Sequence, residues 1–467
     1  MMGTNFRKSV EDIVSGAWFP EYLAAWQRGD LGLLTVEPQP SSRQTLNDAI
    51  QTMLATNQSY EQGDHVIIHA RPSGIEMGAA TAYILHERGI DAQVVVGFHG
   101  LGTQVQQLMK AVYGDQDLSK ADDTGLQGLH DAYAKLFADL DGGRAHWLLT
   151  TATSLDLEPE HVPAMHRYLD AVTHGIHPGL EALRSSGSLK SQEIWFNPTG
   201  LDVERLNAEL PQDKHWTLEE WQDAIFRAMG VSGERLHEIA MGLEAVQLTI
   251  EASLHGGTLR YTRDDGTDFT YQVTGRPVLL DCGRPGNISI GATAPLQATI
   301  TNQPTTEVYV APKEDSMDGR IVYNSPMRTP LGIIQAPYDL DIRAGNVAGV
   351  QAAPEGDSMR ILRHYTGRSD YDHRELNEQE LAAFVMRGII AEVAIAGFNP
   401  VLEPYIRQGR LPPVIGLTII DEKLGDHQAF GANSFFGGLT PATHAGYSVD
   451  HTDLVGGIDR MLRLEKE

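Results

Sequence analysis

The sequence predicts an α/β N-terminal domain with a parallel sheet, followed by an α+β C-terminal domain. In the first half, apolar strand-like runs alternate with helical patterns between residues 64 and 151. In the second half, short alternating runs separated by turn signals dominate. The length of 467 residues is typical of two domains, which we place at residues 1–240 and 241–467.

The elements of the first half follow from hydrophobic spacing and chain breakers. Residues 1–60 have a helical pattern, broken by the Pro-rich stretch VEPQPSS. A helix is expected to end at Gly89, because glycine is the usual residue after a helix. Strand, helix and strand at this spacing predict a βαβ unit with parallel strands. The predicted helices cover 10–26, 42–54 and 77–88, and the predicted strands 64–70, 92–98, 146–151 and 192–196.

The elements of the second half begin with a predicted capping box. Thr217 followed by Glu220 is the pattern of such a box, within a helix over 213–230. Asp265-Gly266 predicts a hairpin turn between alternating strands at 258–271. Long and short helices are expected at 235–254 and 377–387, and strands within 287–310, 319–341 and 343–364.

Composition limits the classes of partner. The net charge of −26, from 62 acidic and 36 basic residues, argues against nucleic acid or an anionic membrane. The one cysteine, Cys282, excludes an internal disulfide framework and fits a reducing compartment. The N-terminus has no apolar signal core, and no apolar run reaches membrane-spanning length. We therefore expect a soluble cytoplasmic protein.

A set of histidines and carboxylates in the second half predicts a metal site. His451 and Asp453 are two residues apart, so on an extended segment both side chains share a face and can chelate one ion. Glu307 and Glu392 lie among apolar, strand-forming residues, where a carboxylate must be paired, protonated or metal-bound. Together with His427, they are sufficient for a two-metal hydrolytic site.

Five ordered segments resemble the M29 peptidase family, the thermophilic-type aminopeptidases called aminopeptidase T or S. The resemblance covers most of residues 245–460. It implies that Glu307, Glu392, His427, His451 and Asp453 are metal ligands. The segments are GTDF (266–269) with the later GR (275–276), PTTEVYVAP (304–312), AEVAIAGFNP (391–400), IIDEKLGDHQAFG (419–431) and HTD (451–453).

The resemblance implies a metallo-aminopeptidase-like hydrolase that releases N-terminal amino acids from peptides or small amides. It also implies two divalent ions (Zn, Co or Mn), a homodimer, and a C-terminal domain that binds the metals. Glu422 is the candidate for carrying a proton to the leaving amine, because it lies five residues before His427 and is not needed as a ligand. Holding His427 in place is the alternative role for Glu422. Tyr309 and Arg320, near Glu307, are candidates for contact with the substrate.

Three positions depart from the family pattern. Ser434 stands seven residues after His427, where the family has a tyrosine, and a serine hydroxyl is far less acidic than a phenol. Ala391 replaces a usual glycine. His444 is an additional histidine, and it is a candidate ligand, base or loop residue.

Two other functions remain open. The sequence is also similar to the 2,5-dihydroxypyridine dioxygenases, which implies one non-haem Fe(II) held by His427, His451 and Asp453. The retained Glu307 and Glu392 favour two ions, because a mononuclear site leaves two buried acids without a partner. A biosynthetic relative acting on a small amide or amine is the third alternative.

Overall fold

The computed structural model describes part of the chain in detail, and the chain groups into two compact units. For some strand positions, among them Glu307, Glu392 and His451, the backbone alone is described. The first unit comprises Met1–Thr199, Ile225–Gly230 and Gln297–Gln303, and the second Gly200–Ala224, Val231–Leu296 and Pro304–Glu467. The described residues are 4–28, 31–56, 60–97, 124–138, 140, 143–151, 176, 178–180, 182–183, 185–231, 258–276, 278–281, 299–304, 307–329, 332–352, 357–367, 388–396, 399–412, 420, 426–430, 448–451 and 464–466.

A seven-stranded mixed sheet is the centre of the first unit. Its strands are β1 (Thr4–Lys8), β2 (Leu31–Val36), β3 (Asp64–Ala70), β4 (Asp91–Val96), β5 (Arg144–Thr151), β6 (Leu189–Phe196) and β10 (Thr299–Gln303). Their order in the sheet is β1-β2-β4-β3-β5-β6-β10. Every neighbouring pair is parallel except β2 with β4, which is antiparallel. The helices are α1 (Val10–Ser15), α2 (Phe19–Gln27), α3 (Gln44–Thr56), α4 (Ile75–Glu87) and α5 (Thr124–Ala138).

The predicted βαβ unit is confirmed. β3 and β4 are parallel, from His65 opposite Asp91 to Ala70 opposite Val96, with α4 between them in the chain. Gly78 lets α4 approach the sheet, because a Cβ there would lie 3.1 Å from the Cβ of Ala70. The glycine of this segment thus serves helix–sheet packing.

The predicted all-helical N-terminus is wrong in part. α1, α2 and α3 form, but β1 and β2 are strands that pair with each other in parallel. Their partners are distant in sequence, so local periodicity does not reveal them. The single predicted helix over 10–26 is divided, because Gly16 adopts a left-handed conformation with φ 76° and caps α1.

Antiparallel sheets dominate the second unit. Its strands are β7 (Thr258–Thr262), β8 (Asp268–Gln272), β9 (Val278–Asp281), β11 (Glu307–Val310), β12 (Asp318–Tyr323), β13 (Met327–Thr329), β14 (Gly332–Ile334), β15 (Tyr338–Arg343), β16 (Asn346–Ala352), β17 (Ile390–Ala396), β18 (Asp426–Phe430), β19 (Ser448–His451) and β20 (Leu464–Lys466). They form sheets of order β19-β18-β17-β11-β9, β16-β15-β12-β8-β7-β20 and β13-β14. The later helices of the chain are α6 (Gly200–Glu209), α7 (Leu218–Met229), α8 (Ser358–Tyr365) and α9 (Glu403–Arg407).

Several predictions for these elements are confirmed. β7 and β8 form the expected hairpin, with Gly266 at φ 98° in the turn. Thr217 and Glu220 make the predicted capping box, although α7 begins at Leu218 and a separate 3-10 helix covers Gln212–Lys214.

Other predictions are wrong or lie outside the described residues. The strand pattern over 343–364 is wrong in its second half, which is α8, with Ile361 and Leu362 buried on one helical face. The helices predicted at 235–254 and 377–387 lie outside the described residues, as does the boundary at residue 240, which stays a prediction. None of the described helices has the length and apolarity needed to cross a bilayer.

Candidate functional site

The five-stranded sheet of the second unit collects four of the predicted metal ligands. Glu307 begins β11, Glu392 lies in β17, His427 in β18 and His451 at the end of β19. These four strands are consecutive neighbours in the sheet. Residues separated by up to 144 positions in the chain therefore reach neighbouring strands of one sheet. We call the four strand positions the ligand row.

The register shows which positions of the sheet share a face. Ala394 of β17 is opposite Tyr309 on one side and opposite His427 on the other. Directly opposite residues share a face, and so do alternate residues of one strand. Glu307 is two residues from Tyr309, and Glu392 is two residues from Ala394. The backbone positions of Glu307, Glu392 and His427 thus belong to one face of the sheet.

Alanine lies opposite each of these three positions in the central ladders. Glu307 is paired with Ala396, Glu392 with Ala429, and His427 with Ala394. Alanine is the smallest side chain with a Cβ, so the sequence places small residues opposite the three ligand positions.

The two faces of this sheet differ in character. Val308, Val310 and Val393 belong to the apolar core of the unit. On the other face, His427 is 2% exposed, Tyr309 5% and Ala394 0%. The candidate face is therefore shielded from water, although it carries polar residues.

Two aspartates that sequence reasoning did not single out share this face by register. Asp281, at the end of β9, is directly opposite Glu307. Asp450 of β19 is directly opposite His427, whereas His451 is opposite Asp426. The backbone position of His451 therefore belongs to the opposite face of the sheet from that of His427. Asp281 follows an apolar run, VLL, and this strand-end acid is the signal that identifies it.

The remaining predicted site residues are not tested by the described structure. Glu422, Ser434, His444 and Asp453 lie outside the described residues. Among the side chains that are described, no three His, Cys, Asp or Glu form a group suited to a metal ion. The ligand row is compatible with a divalent ion by its donor types, and the backbone positions of Glu307, Glu392 and His427 share a face of the sheet.

A second buried polar cluster lies in the first sheet. Asp64 Oδ2 is 3.0 Å from His146 Nε2, and His146 Nδ1 is 2.7 Å from Ser191 Oγ. Ser191 Oγ is also 2.9 Å from Oε1 of Glu193, which accepts a hydrogen bond from the hydroxyl of Tyr60. Asp64, His146, Ser191 and Glu193 are at most 2% exposed. We call these five residues the closed cluster.

Further donors complete the closed cluster. The indole of Trp195 donates to Glu193 Oε2 at 3.2 Å, and the backbone N–H of Glu61 donates to Asp64 Oδ2 at 2.8 Å. The guanidinium of Arg144 approaches Asp64 Oδ1 at 2.7 Å as an ion pair. Both buried carboxylates therefore have several donors within the first unit.

The closed cluster has the residue types of a serine-hydrolase triad but not its accessibility. Ser191 is 0% exposed, and its hydroxyl faces two acceptors, His146 Nδ1 and Glu193 Oε1. Burial lowers the pKa of His146 from its ordinary value of 6.5, against the raising effect of Asp64. The imidazole is therefore neutral near pH 7. The side chains of this cluster satisfy one another with hydrogen bonds, so we assign the cluster a structural role.

The comparisons with known proteins give a fold. No protein-family model and no curated protein matches the sequence. The structure is similar to one titled "Wild-type AmpT from Thermus thermophilus", with a TM-score of 0.53 and 18% sequence identity. The likeness covers 84% of this chain and 86% of that chain. At this identity it shows a related fold.

Proposed function

We propose that the chain is a metal-dependent, peptidase-like hydrolase that releases N-terminal amino acids from peptides or small amides. The observation that carries this proposal is the ligand row, in which four adjacent strands each bring one predicted ligand to one sheet. The fold shared with AmpT and the ordered resemblance to M29 peptidases support the same function.

The proposed ligands are Glu307, Glu392 and His427, with His451 and Asp453 completing the set. Carboxylate and imidazole are the donors that zinc, cobalt and manganese accept, and we propose two such ions per chain. A bound divalent ion polarises a carbonyl and lowers the pKa of a water molecule.

A second carboxylate beside Glu307, on the edge strand β9, also supports a bound cation. Glu307 and Asp281 occupy directly opposite positions of an antiparallel ladder. Like charges at directly opposite positions of a ladder repel. A bound cation would offset this cost, so Asp281 is a further candidate ligand.

Other residues of the chain have proposed roles in proton transfer and substrate contact. Glu422 takes a proton from the attacking water and transfers it to the leaving amine. Tyr309, on the same face as His427, contacts the substrate through its ring or hydroxyl. The burial of Tyr309 and His427 excludes bulk water, which strengthens electrostatic interactions at this face.

Elemental analysis of protein purified without chelator tests the proposal. We expect about two equivalents of zinc, cobalt or manganese per chain, and release of free amino acids from aminoacyl amides. About one equivalent of iron, with oxygen consumption on hydroxylated aromatic substrates, would support the dioxygenase alternative instead. Metal binding without cleavage of amides or peptides would favour a biosynthetic relative.

The proposal also covers the catalytic domain, the cellular compartment and the oligomeric state. The catalytic centre is assigned to a C-terminal metal-binding domain, in a cytoplasmic homodimer that acts on small substrates. The mass in solution, measured by light scattering, tests the dimer independently of the chemistry.

A further inference from the structure

Asp426 is a neighbour of both predicted histidine ligands, one along the chain and the other across the sheet. It precedes His427 in the chain and is the first residue of β18. It is also the residue directly opposite His451 in the ladder between β18 and β19. Any contact that fixes Asp426 therefore fixes the backbone next to both histidines.

Such a contact comes from the six-stranded sheet of the same unit. The hydroxyl of Tyr261, in β7, donates a hydrogen bond to Oδ2 of Asp426. The Tyr261 ring is 3% exposed and stacks on Phe269, with ring centroids 5.1 Å apart and an interplanar angle of 15°. The donor is thus held by packing as well as by its own hydrogen bond.

The phenol of Tyr261 stays protonated and can therefore act as a hydrogen-bond donor throughout the neutral pH range. Burial raises the pKa of its phenol well above the usual value, and the neighbouring carboxylate of Asp426 raises it further. The hydroxyl therefore keeps its hydrogen across the neutral range. A phenol that stays protonated can only donate to a carboxylate oxygen, so the direction of this hydrogen bond is fixed.

We propose that Tyr261 is a positioning residue for the metal centre. Its hydrogen bond to Asp426 fixes the start of β18 and the β18–β19 register, and so places the backbone of His427 and His451. This inference rests on the proposed function. Groups that orient metal ligands typically contribute about 10- to 100-fold to metal affinity, which sets the size of the expected effect.

The chain provides a matched control in Tyr271 of β8. Tyr271 is 0% exposed and belongs to the same apolar core as Tyr261. Its hydroxyl has no hydrogen-bond partner among the described residues. Tyr271→Phe therefore removes a buried hydroxyl that interacts with Asp426 through its charge alone, without removing a hydrogen bond to it.

Cobalt titration of the full chain tests the proposal. Wild type, Tyr261→Phe and Tyr271→Phe are titrated with Co²⁺, and the affinity and visible absorption spectrum are measured. We expect Tyr261→Phe to weaken binding about 10- to 100-fold and to change the spectrum. Tyr271→Phe should match the wild type in both. A purely structural Tyr261 would lower the denaturation midpoint with affinity and spectrum unchanged, which would overturn the proposal.

Hydrogen exchange of the metal-free proteins gives a second measurement. We expect faster exchange at amides of 426–430 and 448–451 in Tyr261→Phe than in Tyr271→Phe. Equal exchange in the two variants overturns the positioning role. Wild type that binds metal, with a Tyr261→Phe variant that binds it equally well, overturns this inference and leaves the proposed function standing. Wild type that binds no metal overturns both.

Discussion

The closed cluster of the first sheet and the ligand row of the second unit both place acids and a histidine on neighbouring strands. In the closed cluster, the side chains of His146, Ser191 and Glu193 contact one another at hydrogen-bond distance. In the central ladders of the ligand row, the opposite residues are alanines. Buried charge needs a partner, and the closed cluster provides it among its own side chains. We propose that this difference separates a structural cluster from a site that binds a ligand.

Removing an acid from the closed cluster should have the largest effect on stability. Asp64→Ala is expected to lower the free energy of unfolding by about 3–5 kcal/mol, because it leaves His146 and the N–H of Glu61 without their buried acceptor. Urea denaturation measures this. The control is Asp91→Ala, which breaks an exposed pair with His65 at 3.0 Å and should cost about 1 kcal/mol or less. Equal losses would remove the distinction between the two regions.

Removing an acid from the ligand row should instead affect metal binding. Glu392→Gln is expected to weaken metal affinity by about 100-fold or more, since orienting groups alone contribute 10- to 100-fold. Isothermal titration with Zn²⁺ measures it. The metal-free variant should unfold at the wild-type urea concentration, because a neutral amide replaces an acid beside Ala429. Asp357→Asn, which changes an exposed partner of Arg360, is the control. Unchanged metal stoichiometry in Glu392→Gln would make this carboxylate structural.

The closed cluster should also respond to pH in a defined direction. The pKa of His146 is lower in the folded chain than the ordinary 6.5, so the unfolded chain binds more protons as pH falls through this range. The stability contribution is therefore complete above about pH 6.5 and is lost as pH falls towards the folded pKa, at up to about 1.4 kcal/mol per pH unit.

His146→Gln should flatten that slope, which urea denaturation between pH 5 and 8 measures. His130→Gln serves as the control, because His130 is partly exposed beside Asp131. The charged groups that act on His146 are Asp64, Arg144 and Lys190, and they are retained in both variants. A slope that survives in His146→Gln would assign the pH dependence to other groups.

The smallest expected effect concerns the acid that sequence reasoning did not single out. Asp281→Asn should weaken metal affinity about tenfold, because it removes one of two opposite carboxylates that a cation would bridge. Asp339→Asn is the matched control, since Asp339 is an acid on a strand of the same unit that is already paired with Arg320 at 2.6 Å. If the metal-free Asp281→Asn protein is no more stable than wild type, the two carboxylates do not repel, and the charge argument fails.

Local patterns in the sequence predicted elements whose signals are local. The apolar run of β3, the glycine after α4 and the capping box of α7 are each visible within a few residues. The strand setting of Glu307 and Glu392 was also predictable, because β-branched and small apolar residues surround them.

Long-range pairing was not predictable from these patterns. Nothing near Asp281 shows that Glu307 lies opposite it, and nothing near His146 shows that Ser191 does. Register depends on contacts across the whole sheet, so side chains that meet through it cannot be read from spacing alone. For the same reason, the sequence does not show that the positions of His451 and His427 belong to opposite faces of the sheet.

Strand β10 has a consequence for the way the chain is made. It pairs in parallel with β6, from Thr299 opposite Ser191 to Gln303 opposite Trp195, and forms one end of the first sheet. A ribosome reaches this strand only after it has synthesised Gly200–Ala224 and Val231–Leu296 of the second unit, so the N-terminal sheet is completed late in translation. Until then β6 is an open edge, available to another chain. A fragment that stops at residue 240 keeps that edge permanently, and it should therefore aggregate where the full chain does not.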